Sequence, residues 1–210
     1  MTSLALGGTT LADRVLPVRG PAVRSQAAYA AGNVALIAGG ALFTALMAQV
    51  FIPLYPVPIT GQTLAVLVVG SALGAWRGAA SLTLYAIIGL LGAPVFQSGA
   101  SGIAAFMSPS GGFIIGFIFA AFITGWLAQR RWDRNFKWAT LAYFAGSAVP
   151  FIIGLPWLAA TLGLDASQTL MVGLVPFIPG GIIKALIAAA LIPLLWKTVR
   201  DFDARRDAKE

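Results

Sequence analysis

Of the 210 residues, 59% are hydrophobic and 10% charged, against about 45–50% and about 25% in soluble domains, so long apolar stretches must face lipid. The absence of cysteine and histidine excludes disulfides, cysteine nucleophiles, histidine bases and the usual soft-metal sites. A net charge of +7 would suggest a nucleic-acid partner in a soluble chain; basic loops holding the cytoplasmic side explain it better here.

No compact basic region followed by a cleavable apolar core opens the chain. Residues 1–26, with Arg14, Arg19 and Arg24 among Gly and Pro, read as a poorly ordered cytoplasmic tail. A first apolar run covers 27–52 and ends at Pro53-Leu54-Tyr55-Pro56-Val57-Pro58, because three prolines cannot continue a helix. The second and third runs, 63–75 and 79–91, are short for a span of roughly 20 residues, so they are expected to tilt or to be shielded by neighbours. A Gly/Ser-rich segment follows over 92–112, then runs at 113–128, 138–162 and 170–196. Residues 197–210 read as a second cytoplasmic tail, which leaves 27–196 as one membrane domain. Fold class is therefore expected to be an all-α integral membrane protein, a bundle of six transmembrane helices.

The basic residues orient it. Arg77 lies between the second and third runs, Arg130, Arg131, Arg134 and Lys137 between the fourth and fifth, and Lys197, Arg200, Arg205, Arg206 and Lys209 after the sixth. The connections after the first, third and fifth runs hold no Lys or Arg. With positive charge retained inside, both termini are expected in the cytoplasm. Lys184 is left over, within the sixth run and roughly 20 Å from its cytoplasmic end at 1.5 Å per residue. It either snorkels to the outer headgroups or marks a functional site. Pro176, Pro179, Gly180 and Gly181 nearby favour the second, since irregular backbone at membrane depth is tolerated around protein or a wet cavity.

Three further stretches bear on chemistry. Thr60, Gln62 and Thr63 follow the prolines of the first outer connection. Gln97 to Gly102 and Ser108 to Gly112 lie in the long outer segment, which reads as a lid over a ligand or as an ordinary loop; without a lysine at P-loop spacing it is a poor phosphate cradle. Ala41, Ala45 and Ala48 make a flat face on the first span, suited to close approach of another helix, within the chain or from a partner. Trp126, Trp132, Trp138 and Trp196 read as interface anchors. Tyr85, Phe96 and Trp157 lie near the outer half and could line a pocket. A serine intramembrane protease would need a base and an aspartyl one two intramembrane acids; the chain has no histidine, and Asp165 falls in an outer loop. No enzyme, catalytic residue or metal site is expected.

Taken in order, Val57-Pro58-Ile59-Thr60-Gly61-Gln62-Thr63-Leu64-Ala65-Val66-Leu67, Gly89-Leu90-Leu91-Gly92-Ala93-Pro94-Val95-Phe96, Ser108-Pro109-Ser110-Gly111-Gly112-Phe113 and Pro176-Phe177-Ile178-Pro179-Gly180 with Lys184 resemble the BioY family, the biotin-binding membrane subunits of energy-coupling-factor transporters. The resemblance runs from about Ala41 to Pro193. It implies a six-helix bundle in a bacterial cytoplasmic membrane that takes biotin from outside, beneath the loop between spans one and two. It also implies a transmembrane coupling partner, docked on Ala41, Ala45 and Ala48, and two ATP-hydrolysing partners; ATP is used by those chains and no cofactor is bound by this one. By the same resemblance Lys184 pairs with the ligand carboxylate, Gln62, Thr60, Gln97 and Ser110 supply hydrogen bonds, and Tyr85, Phe96 and Trp157 form apolar walls. The family usually has aspartate after Pro-Gly in the last span, and this chain has Gly181 there. The alternative is a carrier or channel for another small carboxylate-bearing nutrient, working without ATPase partners.

Overall fold

The computed structural model describes residues 10–15 and 26–207, with side chains at 10–14 and 26–201. Arg19, Arg24 and Lys209, and the side chains of Arg205 and Arg206, lie outside the described residues. The described chain is nearly all helical: α1 (Ala12–Val15), α2 (Gln26–Ala48), a ribbon of β1 (Phe51–Ile52) and β2 (Ile59–Thr60), α3 (Gln62–Leu73), α4 (Ala75–Leu90), α5 (Gly102–Phe106), α6 (Gly111–Gln129), α7 (Phe136–Leu162), α8 (Ala166–Gly173) and α9 (Phe177–Asp207). Among the described residues, α2, α6, α7 and the part of α9 up to Asp201 are long and apolar enough to cross a membrane. α3 and α4, with 12 and 16 residues, are shorter, as the sequence suggests.

α6 is the central element and packs against α3, α4 and α7; α2 covers α3 and α4, and α9 lies on α3 and α7. Small residues make the centre possible. Gly74 turns the chain between α3 and α4 with φ 87°, a conformation that favours glycine. A Cβ on Gly125 of α6 would stand 2.5 Å from the Ala75 nitrogen and 2.7 Å from the Gly70 carbonyl oxygen. Backbone thus meets backbone where α3, α4 and α6 join, as in other tightly packed membrane helices. Pro150 and Pro156 lie inside α7, where each lacks the amide that would donate to the carbonyl four residues earlier.

The first outer connection folds back on itself. Phe51 pairs with Thr60 and Ile52 with Ile59, antiparallel, and the Gly61 amide donates to the Val50 carbonyl at 2.7 Å. α2 consequently ends at Ala48, before the prolines that seemed to stop it. Further on, Asp165 caps α8 in a capping box with Gln168, satisfying two orphan donors at once.

Several expectations need correcting. The sixth run is two helices; the break falls at 174–176, and Pro179, Gly180 and Gly181 are helical residues at the start of α9. The proline is tolerated because the first-turn amides have no intrahelical partner. α9 then continues to Asp207, past the supposed start of the polar tail at 197. In the N-terminal segment Thr10 and Ala12 are buried. Asp13 pairs with Arg77 at 2.7 Å, while Arg77 also donates to Asn33 of α2 at 2.6 Å, so 10–14 belong to the folded body. The face of Ala41, Ala45 and Ala48 is 2%, 8% and 0% exposed, hence used up within the chain and closed to a partner. α2 presents Ala31, Ala35 and Gly39 outward instead.

Trp196 is likewise no interface anchor: it is fully buried. Its Nε1 donates to Asp133 Oδ2, and the Arg134 guanidinium lies 3.5 Å over its ring. This clasp joins the turn between α6 and α7 to the second half of α9. Burial pushes the Asp133 carboxyl up to about 6, against the opposing pull of the Trp196 hydrogen bond and the Arg134 charge. A raised acid keeps its proton in the folded chain at pH values where the unfolded chain has lost it, so stability falls as pH rises from about 4 to about 6 and is level above. The loss is expected to be on the order of 2 kcal/mol. Thermal unfolding of purified protein at pH 4.5 and 7.5 measures it, and Asp133→Asn, which keeps an acceptor for the indole, is expected to flatten the dependence.

Candidate functional site

A cavity of about 330 Å³ opens between the connection from α2 to α3, the segment before α6, and α6, α7 and α9. Its size is near the lower end of the range for small-ligand sites, roughly 300–1,000 Å³. The ribbon delivers Thr60 to one wall, and α3 begins immediately after it with Gln62 and Thr63. The outer segment contributes Gln97 and Ser110, and α9 contributes Lys184.

Lys184 is the only charged residue among those lining the cavity. It does not snorkel. Its Nζ donates to the Thr60 carbonyl and to Thr63 Oγ1, both at 2.7 Å. Both acceptors are neutral, so the ammonium is held without being neutralised, and a charge at membrane depth without a counter-ion is costly. An anionic group brought into the cavity relieves that cost and gains charge-assisted hydrogen bonds.

Next to the ammonium the polar groups are ordered by one another. Thr60 Oγ1 donates to Gln62 Oε1 at 2.9 Å, and Gln62 Nε2 donates to the Tyr85 hydroxyl at 2.7 Å. Both ends of the Gln62 amide are thereby assigned. Part of the lining is aromatic. Phe113 stacks on Phe177 with ring centres 6.2 Å apart and meets Phe151 edge-on at 5.7 Å. All three line the cavity. A cationic group beside an oriented amide and a cluster of aromatic rings suits a small amphipathic anion.

Of the residues the sequence singled out, Thr60, Gln62, Phe96, Gln97, Ser110 and Lys184 line the cavity together. Tyr85 stands behind it, buried, bonded to Gln62 and edge-on to Phe96 at 5.5 Å. Trp157 also stands behind, donating from Nε1 to the Ser108 carbonyl at 3.0 Å and so fastening the outer segment to α7. Gly181 is elsewhere: it lines an apolar groove between α7 and α9, and a Cβ there would meet nothing within 4 Å. Gly180 is the glycine nearer Lys184, its Cβ position 3.8 Å from Lys184 Cε.

Sequence reasoning missed the walls formed by Phe113, Phe117, Phe151 and Phe177. In evenly apolar helices the inward face leaves no periodic mark. The available signal was adjacency: Phe113 follows Gly111-Gly112, and Phe177 sits between Pro176 and Pro179.

Residues 21–201 match the model of the BioY family. The chain is 36% identical over 164 residues to the biotin transporter BioY of Rhizobium etli, covering 75% of this chain and 87% of that protein. It is 34% identical over 178 residues to biotin transporter BioY2 of Lactococcus lactis, covering 81% and 95%. The fold resembles the crystal structure of the S-component for biotin from an ECF-type ABC transporter, with a TM-score of 0.71 and 26% identity over 82% of this chain and 95% of that one.

Proposed function

The chain belongs to the BioY family, and from that premise we propose that it is a multi-pass membrane protein of biotin uptake, the subunit that captures biotin at the membrane, and that it catalyses no reaction itself. The observation that carries the reading is the un-neutralised Lys184 ammonium in a cavity lined by a few neutral polar groups and five phenylalanines. Biotin combines a carboxylate with an apolar chain and a compact ring system, which is what such a cavity would hold. In this reading Lys184 pairs with the carboxylate, Thr60, Gln62, Gln97 and Ser110 offer hydrogen bonds, and Phe96 with the Phe113 cluster encloses the apolar part. Tyr85 and Trp157 act through the residues they hold, and Gly181 makes no contact with the ligand.

The six-helix count adds α3 and α4 to the four long helices. The orientation, with both termini in the cytoplasm of a bacterial cell, rests on the alternation of basic and charge-free connections. Uptake is driven by a membrane coupling partner and ATP-hydrolysing partners, as the likeness to an ECF S-component suggests; no cofactor is bound by this chain. The outward face of α2 at Ala31, Ala35 and Gly39 is the place for the coupling partner, since a Cβ on Gly39 meets nothing within 4 Å and small residues allow close helix approach.

Titration with biotin tests the central claim. Lys184→Met is expected to weaken biotin binding by about 2–5 kcal/mol and to affect a biotin amide much less; equal losses for acid and amide would assign Lys184 to the loop it holds rather than to the ligand. For orientation, single cysteines at Ser101 and Asn135 of this cysteine-free chain are treated with an impermeant thiol reagent on intact cells. Labelling at Ser101 alone is expected, and labelling at Asn135 alone rejects the topology. Replacing both Ala31 and Ala35 with leucine is expected to reduce ATP-driven uptake several-fold while biotin affinity is kept. Unchanged uptake would remove that face from the docking surface.

A further inference from the structure

Gln49 follows the last residue of α2, and its side-chain amide is engaged at both ends. Nε2 donates to the Ala45 carbonyl one turn back at 3.2 Å and to the Phe96 carbonyl at 3.0 Å. Oε1 accepts from the Gly99 amide at 3.2 Å. The side chain therefore grips both ends of the turn 96–99, which carries Phe96 and Gln97 to the cavity. That turn is tight, with Ser98 at φ 61° and Gly99 at φ 71°.

What the grip holds matters for the site. Phe96 is buried and enters the space left by Gly89, where a Cβ would strike its ring. Its edge meets Tyr85, which in turn orients Gln62. Gln49 itself lines no part of the cavity and reaches it only through the backbone of this turn. α4 offers Phe96 a slot, but the side-chain bonds that tie the turn to the rest of the chain come from Gln49, just past α2.

We propose that Gln49 is a positioning residue that latches the 96–99 turn over the cavity and thereby sets how fast a bound ligand leaves. The proposal rests on reading the cavity as the biotin site. A latch of this kind slows release more than entry, because most changes in affinity among variants of one site fall on the dissociation rate. Gln49→Met keeps the length of the side chain and loses every bond; Gln49→Glu keeps an acceptor for Gly99 and loses the donor to Phe96.

The full chain in lipid nanodiscs is loaded with radiolabelled biotin and chased with unlabelled biotin. Both variants are expected to release it about tenfold faster, the effect of losing bonds of this kind, with association changed less than about twofold and ligand-free melting temperature unchanged. Wild-type release rates in both variants overturn the proposal. So does a variant that fails to fold, or that melts earlier and binds more slowly in proportion, because the role would then be structural. If the wild type itself retains no biotin, the proposed function fails separately, and hydrogen exchange at the Gly99 amide decides the latch. Protection in the wild type that is lost in Gln49→Met supports it, and equal exchange in the two overturns it.

Discussion

A lysine ammonium placed within an apolar helix must find acceptors, and in this chain it finds them only because the loop between α2 and α3 is folded inward to meet it. Lys184 Nζ is held by the Thr60 carbonyl and Thr63 Oγ1. Thr60 is available because β1 and β2 pair, and Thr63 because α3 starts two residues later. One contact thus fixes α9, α3 and the first outer connection relative to one another. The remaining walls of the cavity are built around that junction: Gln62 is oriented from the same segment, and Phe177 is delivered by the same helix as Lys184.

The contact leaves a positive charge unbalanced. Replacing one acceptor with a carboxylate would make the ammonium cheaper to bury and would also remove the reason for an anion to enter. The chain instead leaves the ammonium with two neutral partners, which in the proposed function give way to a charged ligand without breaking an ion pair. Gly181, where the family usually has aspartate, is consistent with this arrangement, since its position faces the groove beside α7 rather than the ammonium.

Small residues perform two different tasks in the same fold. At Gly70, Gly74 and Gly125 they let α3, α4 and α6 meet backbone to backbone, and at Ala41, Ala45 and Ala48 they seat α2 on the bundle. Nearer the start of α2, Ala31, Ala35 and Gly39 are left uncovered. Both sets are spaced three or four apart, as residues on one side of any helix are; only burial separates a face already used from one still free.

Membrane residence, the positions of the apolar runs and the charge asymmetry of the connections were legible in the sequence, because transfer to lipid and retention of basic loops act on composition and order alone. The polar cluster of Thr60, Gln62, Gln97, Ser110 and Lys184 was legible too, since polar residues beside glycine and proline stand out against apolar runs. The rotation of each helix was not. Every face of α6 or α7 is apolar, so neither Phe113 nor Phe151 is marked as inward, and Tyr85 and Trp157 could not be told from cavity walls. Trp196 had the composition of an interface residue and became a core residue only because Asp133 and Arg134, more than sixty positions earlier, fold against it. The sequence by itself determined which segments enter the membrane and which residues are chemically able to hold an anion; the tertiary structure decided which of them face one another, because that depends on packing between helices whose surfaces are nearly uniform.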